Sequence, residues 1–265
     1  MTPILLTWPD LAIASVLLLV DGGLSVWLGL GLHRPLAIAA TRMVVQLIAV
    51  GLVLRAVFAL ASPFATLVVI LVMMAIAARE VAARPEQRLT RFGNLAVGAS
   101  AVAFATFLTA ILALTTAIRP DPWYDPRYAV PLAGIVLGNV LNGASLALDS
   151  LLSGVVRERA AIEAQLALGV PYRQAMRGLV RTSVRRALLP IVNTMSAAGV
   201  VTLPGIMTGQ LLAGMDPLDA VKYQILLIFL LAGGSGLAAV AVVELAARRL
   251  TDERQRLRLD RLTAK

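Results

Sequence analysis

Polar side chains set inside apolar stretches are where this 265-residue sequence could do chemistry. Asn139 and Asn142 share one such stretch. Asn193, Thr202, Met207, Thr208 and Gln210 share another, around the pair Pro204-Gly205. Amide and hydroxyl oxygens suit hard cations, and thioether sulfur suits softer metals. A proline inside an apolar helix frees the carbonyl four residues back, here Val200, and its ring kinks the helix. Helices broken inside a membrane can put unpaired backbone oxygens against cargo. Gly and Pro are also frequent in membrane helices as plain packing kinks, so Pro204 carries both readings. Asp21, beside Gly22-Gly23, and Arg42, near Gln46, are the other ionisable groups set deep in apolar sequence. Such groups are costly in a bilayer and default to functional candidates. An Asp21–Arg42 ion pair and a role in transport are equally open. Asp149 and Glu244 fall near the ends of apolar stretches, where an interfacial position accounts for them.

Several chemistries are excluded. There is no cysteine and the only histidine is His33, so thiolate sites and multi-histidine clusters are impossible. A hydrated or chelated metal, or another small solute, fits these donors better than a tight, dehydrated Fe²⁺ cage. The only lysines are Lys222 and Lys265, neither in the G-x-x-x-x-G-K-[ST] context of a phosphate-binding loop. The chain therefore has no nucleotide site of that kind, and no cofactor of its own is expected.

The elements that position these residues follow from composition. Hydrophobic residues make up 59% of the chain, charged residues 15%, and mean hydropathy is +0.84. Soluble domains carry about 45–50% apolar and about 25% charged residues, so the natural solvent here is a bilayer. A spanning helix needs about 20 mainly apolar residues. Seven segments qualify: 10–32, 36–60, 63–83, 94–118, 130–152, 187–213 and 219–246. The expected fold is an all-α polytopic bundle of about seven spans, a single transmembrane domain over 1–265. Pro35, Pro63 and Pro131 sit at expected helix starts. The proline-rich run at 119–127 reads as a loop whose Trp123-Tyr124 pair suits a membrane interface.

Charge fixes an expected orientation. Net charge is +9, and eighteen of the 24 Lys and Arg residues fall in 79–91, 157–186 and 248–265. Under the positive-inside rule these are cytoplasmic, which puts the N-terminus outside and the C-terminal tail, 248–265, inside. No Lys or Arg precedes Arg34, so the first apolar stretch lacks the basic start of a signal peptide and reads as a retained span. Aromatics are 5% of residues and none interleave with a basic run, which argues against nucleic acid.

The longest polar interruption, 153–186, is organised. Val155 to Leu168 reads as a helix with Val155, Ile162 and Leu166 near one face. Gly169 can end it and Pro171 can open a second helix. That second helix carries Arg173, Arg177, Arg181 and Arg185 at spacings of four, opposite Met176, Leu179, Val180 and Val184. Such a basic amphipathic helix can lie at the headgroup boundary, with its arginines meeting anionic lipid.

Glu163-Ala164 with Gly169 at the seventh position resembles the EAA-type loop of ABC-transporter permeases, although Leu189-Pro190 lies farther from the glycine than in that family. More of the chain resembles the iron-export, Fet-type ABC permeases of bacteria, which are similar to plant aluminium-tolerance membrane proteins. The matching stretches are Arg42 with Gln46-Leu47 and Gly51, Pro131-Leu132-Ala133-Gly134 with Gly138-Asn139, and Leu168-Gly169. They continue with Arg185, Ala187-Leu188 and Pro190, then Leu203-Pro204-Gly205 with Met207, Ala213-Gly214, and Asp216-Pro217 with Lys222-Tyr223-Gln224-Ile225. Together they cover about residues 40–230. The resemblance implies export of iron, as a metal ion or chelate, or of a related solute from the bacterial inner membrane. It implies a permease homodimer with separate ATPase subunits that supply ATP and its magnesium and dock at 157–186. A self-sufficient secondary transporter, with Asp21 or Glu244 as proton carrier, is the rival reading. A membrane scaffold that moves nothing is a second.

Overall fold

The computed structural model describes residues 7–60, 62–90, 92–118, 121–122 and 124–264. The expected loop at 119–127 lies partly outside them, since Arg119, Pro120 and Trp123 are not among these residues. The chain divides into two compact bodies. The first contains α1 (Trp8–Trp27) and α2 (His33–Leu60), which pack on each other. Their connection turns on Gly29 and Gly31, both at positive φ, and Ser25 Oγ accepts the Leu32 N–H at 2.9 Å. Almost every large side chain of α1 and α2 is exposed, as expected where lipid is the solvent.

The second body contains α3 (Pro63–Ala83), β1 (Gln87–Leu89), α4 (Gly93–Leu112, continued by a π-helical turn Ala113–Ile118) and α5 (Pro126–Arg157). It continues with α6 (Arg159–Ala167), α7 (Tyr172–Ala197), α8 (Gly205–Leu212, which ends at the boundary), α9 (Pro217–Arg249) and β2 (Leu262–Ala264). α5 is its axis, packed against α3, α4, α7 and α9. Val136, Val140, Ala144, Leu148, Leu151 and Leu152 of α5 are fully buried, as are Ala238, Ala239, Val242 and Val243 of α9. Gly143 lets the two helices approach closely: a Cβ there would lie 3.3 Å from both Cβ and the carbonyl oxygen of Ser235.

Among the described residues, six helices are long and apolar enough to cross a bilayer: Pro9–Trp27, His33–Leu60, Pro63–Ala83, Gly93–Thr115, Pro126–Arg157 and Pro217–Arg249. α5 begins earlier than the apolar run suggests. Asp125 caps it through the Arg127 N–H at 2.9 Å, Pro126 fills the first position, and Pro131 lies inside the helix rather than at its start. α9 opens the same way, with Asp216 accepting the Leu218 N–H at 2.9 Å ahead of Pro217.

The seventh apolar segment, 187–213, differs from expectation. It is not one helix with a kink at Pro204. α7 runs unbroken from the basic sequence at Tyr172 to Ala197 and stops there. Gly199 takes φ +82 and donates its N–H to the Thr202 carbonyl at 2.9 Å, closing a turn over the residues between. Pro204 has no N–H to continue a helix, and its carbonyl instead accepts the Thr208 N–H at 3.0 Å to start α8. Pro190 is the proline actually inside this helix. The amphipathic reading of 172–186 is also revised. Its apolar side, with Tyr172, Met176, Leu179 and Ser183, is buried within the body rather than turned to headgroups, while Arg173, Arg177, Arg181 and Arg185 are exposed.

The three basic segments meet at one end of this body. β1, in the α3–α4 connection, pairs antiparallel with β2 of the tail, with Arg88 opposite Thr263. Asn94 fastens that connection, accepting the Leu89 N–H at 3.0 Å and donating to the Ala82 carbonyl at 3.2 Å. Gln255 of the tail accepts the Tyr172 N–H at 2.9 Å, and the Tyr172 hydroxyl donates to the Ala247 carbonyl at 2.9 Å.

Candidate transport cavity and coupling turn

α5 carries a polar stripe. Asn139, Asn142, Ser145 and Asp149 follow one another at spacings of three, three and four, so they share one face over about 15 Å of helix. They line an open cavity of about 660 Å³ walled by Arg84 and Glu86 from the α3–β1 connection, by α7 from Ala187 to Thr194, and by Ser235 of α9. Asn142 lies near the middle of α5, 15 residues or about 22 Å before Arg157.

Each polar group in the cavity has a definite setting. Arg84 Nη1 donates to Asn142 Oδ1 at 2.9 Å. The Glu86 N–H donates to Asp149 Oδ1 at 3.1 Å. Asn139 Nδ2 donates to the Ile135 carbonyl at 3.1 Å, which leaves its amide oxygen available. Ser145 is only 5% exposed, yet its hydroxyl has no protein partner. A buried hydroxyl without a partner costs about 1–3 kcal/mol. Among the described residues, no group of three His, Cys, Asp or Glu side chains could hold a metal ion. A cation in this cavity would be held by two carboxylates, amide and hydroxyl oxygens, and water.

The sequence-derived candidates divide. Asn139 and Asn142 line the cavity; Asn193 is exposed on α7 beside Thr194, which does line it. Thr202, Pro204, Gly205, Met207 and Gln210 occupy the break after α7 and α8, and none of them lines this cavity. The Gln210 side-chain oxygen is buried without a partner. Asp21 belongs to α1 of the other body, and Arg42 to α2, where with Thr41 and Gln46 it borders a shallow apolar depression. Glu244 is the carboxylate 4.0 Å from Arg173 at the basic end. Asp149, read from sequence as interfacial, is a cavity residue, and Arg84, Glu86, Ser145, Thr194 and Ser235 were missed. The stripe spacing along α5 is the sequence signal that could have found Ser145 and Asp149. Arg84 and Glu86 arrive through tertiary folding alone.

At the basic end, α6 and α7 form a helix–turn–helix. Leu168 ends α6 and Gly169, at φ +81, reverses the chain, a conformation that costs other residues about 1–2 kcal/mol. The Val170 N–H closes the turn on the Gln165 carbonyl at 3.0 Å. Only Ile162 of α6 is buried. Glu163 and Ala164 are exposed, Glu163 pairs with Arg159 at 3.0 Å, and Leu168 at the tip is 84% exposed. The tail borders the same turn through residues 253–257. Within it, the Arg256 and Arg254 N–H groups and the Arg256 guanidinium hold Asp252 at about 2, below the usual carboxylate range. Burial pushes the Tyr172 phenol up.

α7 joins the two sites. One helix carries the turn at its first residue and the cavity wall at Thr194, 22 residues or about 33 Å away.

Comparison with known proteins agrees with this architecture. The chain is 39% identical over 255 residues to the UPF0014 membrane protein slr1647 of Synechocystis, spanning 95% of this chain and 96% of that protein. It is 31% identical over 260 residues to the probable iron export permease protein FetB of Escherichia coli, spanning 98% of each. It is 28% identical over 232 residues to the Arabidopsis thaliana protein ALUMINUM SENSITIVE 3, spanning 88% of this chain and 82% of the plant protein. These are the bacterial and plant groups that the sequence motifs resemble. No solved structure gives a significant match. A family model described as "Uncharacterised protein family (UPF0014)" matches residues 8–251, and this multi-pass helical membrane protein belongs to that family.

Proposed function

We propose that this chain is the membrane-spanning permease subunit of an ATP-driven ABC transporter, moving a metal ion, a chelate or a related small solute outward across the bacterial inner membrane. A separate ATPase subunit binds ATP and magnesium and docks on the α6–α7 turn. Two copies of the permease form the working unit, each with its ATPase. The basic end, where the α3–α4 connection, the α6–α7 turn and the tail meet, faces the cytoplasm, in keeping with the positive-inside rule.

The observation that carries this reading is the continuity of α7. A turn exposed to a partner and a wall of the polar cavity are rigid parts of one helix, so a push at Leu168–Gly169 displaces Pro190 and Thr194 without an intervening flexible link. Pro190 lacks the N–H that would bond the Arg186 carbonyl, yet the helix continues through it to Ala197. Export and iron are suggested by the likeness to FetB. The oxygen-rich lining suits a hydrated cation.

The test is to purify the permease with a candidate ATPase subunit, reconstitute both in liposomes, and measure ATP turnover and cargo movement with candidate metals. Turnover stimulated by cargo, and movement that requires both chains, supports the assignment. Full transport by the permease alone would replace it with a secondary transporter.

A further inference from the structure

We infer that Arg84 is a tethered competitor of the cargo: its guanidinium occupies the cation position in the cavity, so cargo binds when Arg84 withdraws and leaves when Arg84 returns. This rests on the reading of the cavity as the cargo path. Arg84 Nη1 donates to Asn142 Oδ1 at 2.9 Å, at mid-helix on the polar stripe. The proton of a metal-bound water would donate to that same oxygen. Among the described residues no ion pair joins Arg84 to Asp149 or Glu86, the two acids lining the same cavity, so its charge is set among them without being locked to either. With Arg84 inside, the lining carries a net charge of about −1; with it withdrawn, about −2, which matches a divalent cation. The Ser145 hydroxyl, on a residue of the same lining, is buried and has no protein partner. Arg84 sits at the end of α3, three residues before the strand that the tail holds, where motion of the basic end can reach it.

The experiment titrates Mn²⁺ into the full-length permease in zwitterionic nanodiscs, reading free Mn²⁺ by electron paramagnetic resonance. Arg84→Gln keeps a hydrogen-bond donor and removes the charge, and is expected to tighten Mn²⁺ binding at least about tenfold, equivalent to about 1.4 kcal/mol. Arg84→Lys keeps the charge and is expected to stay within about threefold of the parent. Adding Asp149→Asn to Arg84→Gln is expected to abolish the gain. In Arg84→Ala, free guanidinium ion at tens of millimolar is expected to displace Mn²⁺ while leaving the parent protein unaffected, a readout that a purely structural arginine does not produce. Unchanged or weaker binding in Arg84→Gln, with binding still lost in Asp149→Asn, overturns the competitor role and leaves the cargo path standing. No saturable Mn²⁺ binding in any variant overturns both.

Discussion

Gly143 offers a direct test of how the cavity is walled. A Cβ at this position would stand 3.3 Å from the Ser235 Cβ and 3.3 Å from its carbonyl oxygen, where about 3.5–4.0 Å is the optimal separation for carbon. The nearest atoms include backbone and a Cβ, so no rotamer change relieves the contact, and α9 must move outward by a few tenths of an ångström. Overpacking of this kind costs about 1–3 kcal/mol. Gly138 on the same helix is the internal control, because a Cβ there meets nothing within 4 Å. Replacing glycine by alanine inside a helix contributes about 0.5–1 kcal/mol on propensity alone. The propensity gain is common to both variants and cancels between them, so the expected result is a separation of about 1–3 kcal/mol, with Gly143→Ala the less stable, measured as unfolding free energy by steric trapping in bicelles. Since Gly143 and Ser235 both line the cavity, Gly143→Ala is also expected to weaken cargo retention. Equal stabilities for the two variants would mean that α5 and α9 do not cross closely at this point.

Further outcomes can be checked separately. Gly169→Val forces a β-branched residue into φ +81 and is expected to cut cargo movement at least about tenfold while ATP hydrolysis persists, as read in liposomes holding both subunits. Tyr172→Phe removes the donor to the Ala247 carbonyl in a buried setting and is expected to cost about 1–3 kcal/mol, visible as a lower unfolding midpoint. Asp252 is held at about 2 in the folded protein against its usual 3.8, so its contribution to the tail is complete above about pH 4 and fades as pH falls toward 2. Protection of the amides in 262–264, taken relative to intrinsic exchange at the same pH, is expected to fall over that window, and Asp252→Asn is expected to show the lower protection already at neutral pH.

Much of this architecture is written in hydropathy. The segments expected at 36–60 and 63–83 coincide with α2 and α3 within a few residues, because an apolar run of bilayer length bounded by proline or charge has little choice of structure. α7 was legible in halves: an arginine every fourth residue marks its first half as a basic amphipathic helix, but hydropathy averages over all faces of a helix, so the apolar continuation from 187 reads as the start of a separate span rather than as the same helix. Nothing between Pro171 and Gly199 stops a helix except Pro190, which is tolerated where it lies. The cavity was half legible. Asn139 and Asn142 stand out as amides in apolar sequence, whereas Arg84 and Glu86 look like ordinary interfacial charge until β1 and the tail pair and carry them to α5. The break around Pro204 drew attention correctly as a discontinuity, but its residues lie beyond the end of α7 rather than on the wall of the cavity.

The α6–α7 turn is the part of the account most open to direct measurement. The sequence has no cysteine, so Leu168→Cys introduces a unique thiol at the exposed tip of that turn. In sealed membrane vesicles holding the permease and the proposed ATPase subunit, the thiol is predicted to react with an impermeant maleimide from the cytoplasmic face only. A short bifunctional reagent is predicted to join it to the ATPase and stop cargo movement. Labelling from the opposite face, or a cross-link that leaves movement intact, would contradict the coupling of an external motor to the cavity through α7.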